Sequence, residues 1–266
     1  MNRKKEAQRA DFIDETKIRE TLEKAKNASV AQALDIIEKG REAKGLDPYE
    51  TAVLLHAAEG EAESALFSAS REVKEKIYGQ RLVLFAPLYI SNYCINNCTY
   101  CGYRRHNEIP RQRLTMEEIE REVIALEAMG HKRIALEVGE DPKNCPIDYV
   151  LDAMKKIYSV KESAGSIRRI NVNIAATTIE DYRRLKEAGI GTYILFQETY
   201  HRGTYKACHP SGPKKDYDWH TTAMDRAMQA GIDDVGLGVL FGLYDYKFEV
   251  LGLLSHSLHL EDRFGV

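Results

Sequence analysis

At 266 residues the chain can bury the core of one large domain or two small ones, and its 44% apolar and 30% charged residues are those of a globular protein. A net charge of −3 offers no basic face to nucleic acid or to an anionic membrane, and no apolar run approaches the ~18 residues of a membrane span. Residues 1–11 lack the apolar centre of a signal peptide, and clustered cysteines without one suit a reducing compartment, so a cytoplasmic protein is expected.

Residues 1–80 read as a helical N-terminal extension. Ser29-x-x-Gln32 has the form of a capping box ahead of Val30, Ala33, Leu34 and Ile37 at helical spacing. Asp47-Pro48 starts a further helix, with Asp47 as N-cap and proline in the first turn. His56, among leucines and alanines, reads as a packed or surface histidine.

From residue 81 the pattern changes to that of a second domain, 81–266. Leu82–Ile90 is a continuous apolar run, the mark of a strand buried on both faces. Thr115-x-x-Glu118 caps a helix ending at Gly130, and strand Arg133–Val138 follows. Helix 148–163, strand Arg169–Ile174, a helix capped by Thr177-x-x-Glu180, and strand Thr192–Gln197 come next. Helix 219–230, strand Asp234–Phe241 and a final helix of about 246–262 complete the chain. Met129-Gly130, Ala188-Gly189 and Ala230-Gly231 each place a glycine where a left-handed C-cap would turn the chain into the next strand. Five strand–helix units in alternation predict a parallel α/β sheet, and both a doubly wound sheet and a (β/α) barrel fit. In either, functional groups belong at the C-terminal ends of the strands.

Those ends carry the polar residues. Strand one runs into Cys94-x3-Cys98-x2-Cys101, three of the five cysteines within eight residues. A disulfide would strand one of them. Zinc needs four ligands, and His106 could complete a site with the three thiols. An iron–sulfur cube held by three cysteines keeps one iron that a small molecule can chelate. Tyr100 could fill the core or shield a cluster, and Cys145 and Cys208 read as inert core residues. Strand two delivers Glu137-Val138-Gly139-Glu140-Asp141, and strand three carries Asn171 and Asn173. Strand four ends Gln197-Glu198-Thr199-Tyr200-His201-Arg202, and strand five is rich in glycine. Singly, each of these polar residues reads as a solvated loop group or a cap. His201, His209 and His220 show no metal-ligand spacing.

Cys94, Cys98, Tyr100 and Cys101 resemble the signature of the radical S-adenosylmethionine (SAM) enzymes. The longer run Cys98–Asn107 is similar to the tyrosine lyases of [FeFe]-hydrogenase maturation (HydG type), relatives of the 2-iminoacetate synthases of thiazole biosynthesis (ThiH type). The resemblance implies a partial (β/α) barrel, a [4Fe-4S] cluster on Cys94, Cys98 and Cys101, and SAM bound to its fourth iron. One electron then cleaves SAM to methionine and a 5′-deoxyadenosyl radical. Val138-Gly139-Glu140 occupies the place of the Gly-Gly-Glu-like turn that holds the SAM amino group. Gly238–Gly242, with Leu240 at its centre, resembles the Gly-x-Ile-x-Gly stretch that meets adenine through its backbone. Asn173 and Glu198 resemble positions that reach ribose or substrate, and Gln197 and Arg202 join the cofactor-binding set from the same rim.

By resemblance the radical takes a hydrogen from L-tyrosine, and the Cα–Cβ bond breaks to p-cresol and dehydroglycine. The maturation branch then turns dehydroglycine into carbon monoxide and cyanide. Arg104–Asn107, Asn171–Thr178 and Gly238–Asp245 fit that branch better than the thiazole one. A ferredoxin- or flavodoxin-like electron donor and the hydrogenase maturation proteins are the expected partners, with neither nucleic acid nor membrane. No side chain is diagnostic of a phenol, so an enzyme acting on another amino acid and a non-catalytic zinc module remain alternatives. In the family, an arginine that grips the tyrosine carboxylate and a domain with a second cluster follow the region matched here. The sequence printed ends before both, so a fragment, or a chain incomplete for the second half of the reaction, is expected. Five units do not close an eight-stranded barrel. Strand 234–241 is therefore expected to be an open edge, and the 266 residues alone to self-associate and to hold at most the first cluster.

Overall fold

Side-chain caps decide where many of the helices begin in the computed structural model, which describes residues 6, 8–57, 61–161 and 165–265. The Asp14 carboxylate accepts the Thr16 and Lys17 N–H groups and opens α1 (Glu15–Ala25). Ser29 does the same for α2 (Val30–Gly40), and Asp47 with Glu50 closes a capping box on α3 (Pro48–His56). Then follow α4 (Glu61–Tyr78), β1 (Ala86–Ser91) and α5 (Met116–Ala128), which starts at the Thr115–Glu118 capping box. β2 (Arg133–Val138), α6 (Ile147–Ser159) and β3 (Arg169–Asn173) lead to α7 (Ile179–Glu187). Its N-cap is Thr178, one residue later than the sequence suggests, because the Asp181 N–H bonds to Thr178 while the Thr177 hydroxyl bonds to the Asp181 carboxylate. β4 (Tyr193–Ile194), α8 (Arg202–Cys208), a 3-10 turn (Pro213–Lys215), α9 (Tyr217–Thr221) and α10 (Ala223–Gln229) come next. β5 (Val235–Gly236) and α11 (Tyr246–Phe264) complete the described elements.

The sheet runs β1-β2-β3-β4-β5 with every pair parallel. A doubly wound sheet reverses its strand order at a switch point, and this one does not. The order is that of consecutive barrel strands, which decides between the two architectures the alternation allowed. Gly130, Gly189 and Gly231 sit at φ of +93°, +81° and +92°, the left-handed C-caps expected of them.

Four elements differ from expectation. β1 starts at Ala86, opposite Ile134, and Leu82–Phe85 are exposed ahead of any strand partner. Within β1 the burial alternates, with Ala86, Leu88 and Ile90 in the core and Tyr89 out of it, so the run is not buried on both faces. Regular pairing in β4 and β5 is short, but Leu195 N–H to Gly236 O, Gln197 N–H to Gly238 O and a Glu198–Val239 bridge carry the two segments on side by side. The helix expected over 219–230 breaks at Thr222. Thr221 and Thr222 return their hydroxyls to the carbonyls of Tyr217 and Asp218, the back-bonding that bends helices.

The chain divides into two compact units. The strand-bearing unit comprises residues 1–10, 84–198 and 202–240. Its core joins Ile134, Leu136, Ile170 and Val172 of the sheet to Ile119, Val123, Met154, Ile157 and Leu185 of the helices. Tyr182 donates its hydroxyl to that of Tyr193 at 2.8 Å, and Tyr193 donates to the Ile174 carbonyl, so two buried phenols are satisfied. The helical unit comprises 11–83, 199–201 and 241–266, and so takes in α11 besides the N-terminal helices. There α1 packs on α3 and α11, and α2 on α4. No described helix is long and apolar enough to cross a membrane.

Arg226 is fully buried in the strand-bearing unit and donates to the Thr177 and Trp219 carbonyls and the Thr222 hydroxyl, its guanidinium 3.6 Å above the Trp219 ring. Arg226→Met strands those acceptors and is expected to cost about 3 kcal/mol in urea unfolding; a loss below about 1 kcal/mol would contradict this reading. In the helical unit, buried His256 bonds through Nδ1 to the Tyr200 hydroxyl at 2.9 Å, and burial pushes its pKa down to about 3. The unfolded chain titrates this ring near pH 6.5, so between there and about 3 only the unfolded state binds the proton. Stability is full above 6.5 and falls on acidification by about 1.4 kcal/mol per pH unit from this residue. Urea unfolding at pH 7, 6, 5 and 4 is expected to show a slope smaller by that amount in His256→Gln.

Candidate active site

The cysteine loop is tied down from inside. The Arg111 guanidinium donates to the carbonyls of Asn92, Tyr103, Arg104 and Asn107, gathering the loop's two ends onto one planar fork. The Asn92 side chain bonds to Gln112 N–H and Pro110 O, and Leu114 N–H bonds to Ile90 O, so the returning chain is laced to the end of β1. From the other side the segment after α8 holds the loop. Thr99 N–H donates to Cys208 O, Asn97 N–H to Ser211 O, and the Lys214 N–H to Asn96 Oδ1. The Tyr100 hydroxyl lies 2.7 Å from His209 Nε2, and His209 Nδ1 lies 2.8 Å from the Tyr205 carbonyl. Burial holds His209 neutral, with a pKa of about 4, so its Nδ1–H donates to the carbonyl and Nε2 accepts from Tyr100.

Cys94, Cys98 and Cys101 all line one cavity of about 270 Å³ at the C-terminal ends of β2, β3 and β4. Glu137, Glu140, Asn173, Glu198 and Lys214 line it as well, with Tyr89, Tyr100 and Tyr103 among its apolar walls. Gly139 carries the β2 turn against the cysteine loop. A Cβ there would sit 2.3 Å from the Tyr93 carbonyl oxygen, so only glycine fits. Ile95 N–H then reaches Glu140 O at 2.8 Å, and the Asn96 side-chain N–H reaches Glu140 Oε2 at 2.6 Å. Burial raises the Glu137 carboxyl above its ordinary range, opposed by a hydrogen bond from Asn173. His220 is held neutral by burial and donates Nε2–H to the Phe196 carbonyl.

Of the residues singled out in the sequence, the structure brings the three cysteines, Glu140, Asn173 and Glu198 to this cavity. Gln197, Arg202 and Leu240 are not among its lining. Gln197 is buried and outside the cavity lining, while Glu198, at φ of +70°, departs from strand alternation and reaches the cavity beside Leu195. Arg202 pairs with Asp218, donates to the Ala10 carbonyl and lies over the Tyr217 ring. The Leu240 side chain is exposed, and its N–H bonds to Glu198 O. Asn96, Lys214, His209 and Arg111 were not found from the sequence. Cys145 lines a second cavity, of about 430 Å³, that shares Gly139 and Glu140 with the first.

The donor set fits an iron–sulfur cube on three thiolates. Tyr103 N–H points at Cys101 Sγ at 3.4 Å and the Asn96 amide at Cys94 Sγ at 3.8 Å, donors that suit charged sulfur. Burial pushes the Cys98 thiol up to about 11, so that sulfur needs a metal to ionise it at neutral pH. His106, the fourth ligand a zinc site would require, is exposed and outside the cavity lining.

The radical SAM superfamily model matches residues 88–253. The 2-iminoacetate synthase of Escherichia coli (strain K12) is 34% identical over 214 residues, 80% of this chain and 55% of that protein. The [FeFe] hydrogenase maturase subunit HydE of Thermotoga maritima is 31% identical over 71% of this chain and 56% of its own length. A crystal structure of HydG, a maturase of the [FeFe]-hydrogenase, superposes with a TM-score of 0.96 at 62% identity, covering 97% of this chain and 58% of that one. The HydG of Carboxydothermus hydrogenoformans gives 0.86 at 43% identity, covering 96% and 59%. The chain thus spans somewhat more than half the length of these relatives. A loop presenting three thiols at the rim of a consecutively ordered parallel sheet, matched over most of its length, makes this chain a member of the radical SAM superfamily.

Proposed function

We propose that the protein carrying this chain is a radical SAM tyrosine lyase of the HydG type. It cleaves the Cα–Cβ bond of L-tyrosine to p-cresol and dehydroglycine, toward the carbon monoxide and cyanide of the [FeFe]-hydrogenase active site. The observation that carries the reading is 62% identity with a HydG over 97% of this chain. The strand-bearing unit is then the radical SAM core, supplied with electrons by a ferredoxin- or flavodoxin-like donor and working beside the other maturation proteins.

When bound, a [4Fe-4S] cluster with SAM supplies the electron transfer and the radical that starts the reaction. The residues of the chain do the holding. Cys94, Cys98 and Cys101 would hold three of its irons, with Tyr103 N–H and the Asn96 amide directed at two of the sulfurs. Glu140 is positioned by Asn96 to receive the ammonium of a zwitterionic cofactor. Asn173 and Glu198 offer polar groups to a ribose or to the substrate from the next strand ends. Tyr89, Tyr100, Tyr103 and the buried His220 supply aromatic walls to the cavity.

The 34% identity with a 2-iminoacetate synthase supports a second reading, in which dehydroglycine leaves for thiazole synthesis. Both branches release p-cresol, and only the maturation branch releases carbon monoxide and cyanide. The test is product analysis of the whole protein, reconstituted anaerobically and supplied with tyrosine, SAM and reductant. p-Cresol with both gases is expected, and p-cresol without them would move the assignment to the thiazole branch. Turnover of SAM without p-cresol would overturn the tyrosine reading. Cys94→Ala, Cys98→Ala and Cys101→Ala are each expected to abolish product, while Cys145→Ala and Cys208→Ala keep it. In a separate calorimetric measurement, Glu140→Gln removes a charge-assisted bond of about 1.5–3 kcal/mol and is expected to weaken SAM binding about ten- to a hundredfold, with iron content unchanged. Wild-type affinity in that variant would return Glu140 to a structural role.

A further inference from the structure

Among the described residues lining the cysteine cavity, Lys214 is the sole lysine or arginine. It faces three thiols and the carboxylates of Glu137, Glu140 and Glu198. Its Nζ lies 2.8 Å from Glu198 Oε1, with the two side chains only 15% and 14% exposed. The same lysine is rooted on the cysteine loop, because its backbone N–H bonds to Asn96 Oδ1 at 2.9 Å. Its ammonium lies 5.8 Å from the centre of the Tyr100 ring, and its charge favours the thiolate of Cys98. The carboxylate that holds it is unusual in its own backbone. Glu198 adopts φ of +70°, a left-handed conformation that strains a non-glycine residue, and Leu240 N–H on its carbonyl helps to hold it there. A strained carboxylate gripping a half-hidden ammonium beside a metal-binding loop is an arrangement with an electrostatic consequence.

We propose that Lys214, held in place by Glu198 as a positioning residue, sets the reduction potential of the cluster bound by Cys94, Cys98 and Cys101. The proposal rests on the cluster reading above. One-electron reduction adds negative charge to a site that already carries three thiolates. A fixed cation in a poorly hydrated cavity stabilises the reduced form more than the oxidised one and so raises the potential. Losing the lysine also leaves the Glu198 carboxylate unpaired toward the cluster, which acts in the same direction. Glutamine at 198 removes the negative charge while the lysine remains, and acts in the opposite direction.

The experiment is an anaerobic redox titration of the whole reconstituted protein without SAM, following the reduced four-iron signal by electron paramagnetic resonance. Lys214→Met is expected to lower the ratio of reduced to oxidised cluster at a fixed potential at least tenfold, a shift of 59 mV for one electron. Lys214→Arg keeps the wild-type value, Glu198→Gln raises it, and the double variant Lys214→Met with Glu198→Gln returns toward wild type. Lys206→Met, an exposed lysine on α8 outside the cavity lining, leaves the potential unchanged. A Lys214→Met potential within about threefold of wild type overturns the proposal, as does an equal fall in Lys206→Met. If Lys214→Met fails to hold a cluster, a wild-type potential in Glu198→Gln overturns it independently. A wild-type protein without any four-iron signal would instead remove the cluster reading, and the proposal with it.

Discussion

One buried amide holds the site together. Asn96 donates to Glu140, accepts from Lys214 and directs an N–H at Cys94, while its carbonyl accepts the Arg105 N–H. Glu140 follows β2, Cys94 follows β1, and Lys214 lies in the turn between α8 and α9, so two strand-to-helix connections and one helix-to-helix turn meet at a single side chain. A buried amide left without partners costs about 1–3 kcal/mol, which is enough to hold three short loops to one arrangement. The glycines nearby follow from the same constraint. Gly212, at φ of +94°, passes Asn96 so closely that a Cβ would fall 2.3 Å from its Oδ1. Gly139 is pressed as closely against Tyr93 on the other side.

The cysteine loop is held by hydrogen bonds from protein groups on both of its sides. Arg111 satisfies four of its carbonyls, and the segment 208–214 takes up its outward amides. The polar groups around the three thiols come from the ends of three further strands, where a parallel sheet gathers its loops.

The sheet was legible in the sequence wherever a strand is buried and bounded by clear punctuation. β2 and β3 stand within a residue of their expected ends, and the three helix-ending glycines take the conformation their position demanded. β1 was overextended because Leu82–Phe85 are as apolar as the strand itself, though exposed. The break at Thr222 escaped notice because helical spacing continues through it, and the hydroxyl bonds that cause it leave no periodic trace. In the site, the three cysteines were legible because they fall within one short stretch of sequence. Glu140 was found through its glycine turn. Asn96 and Lys214 were not, since Asn96 meets partners 44 and 118 residues away, and nothing in a single sequence couples such positions. Gln197 and Arg202 share a rim with Glu198 in sequence only. The left-handed backbone at Glu198 turns that residue into the cavity and leaves Gln197 buried outside it, and Asp218 claims Arg202.

The proposed chemistry requires this loop to bind a four-iron cluster with one iron open to SAM. Electron paramagnetic resonance of the anaerobically reconstituted, dithionite-reduced protein, recorded with and without SAM, addresses it directly. A four-iron signal whose g-values move on adding SAM is the result the account predicts. A cluster signal that SAM leaves untouched would contradict it, because the open iron would then have no role in binding the cofactor.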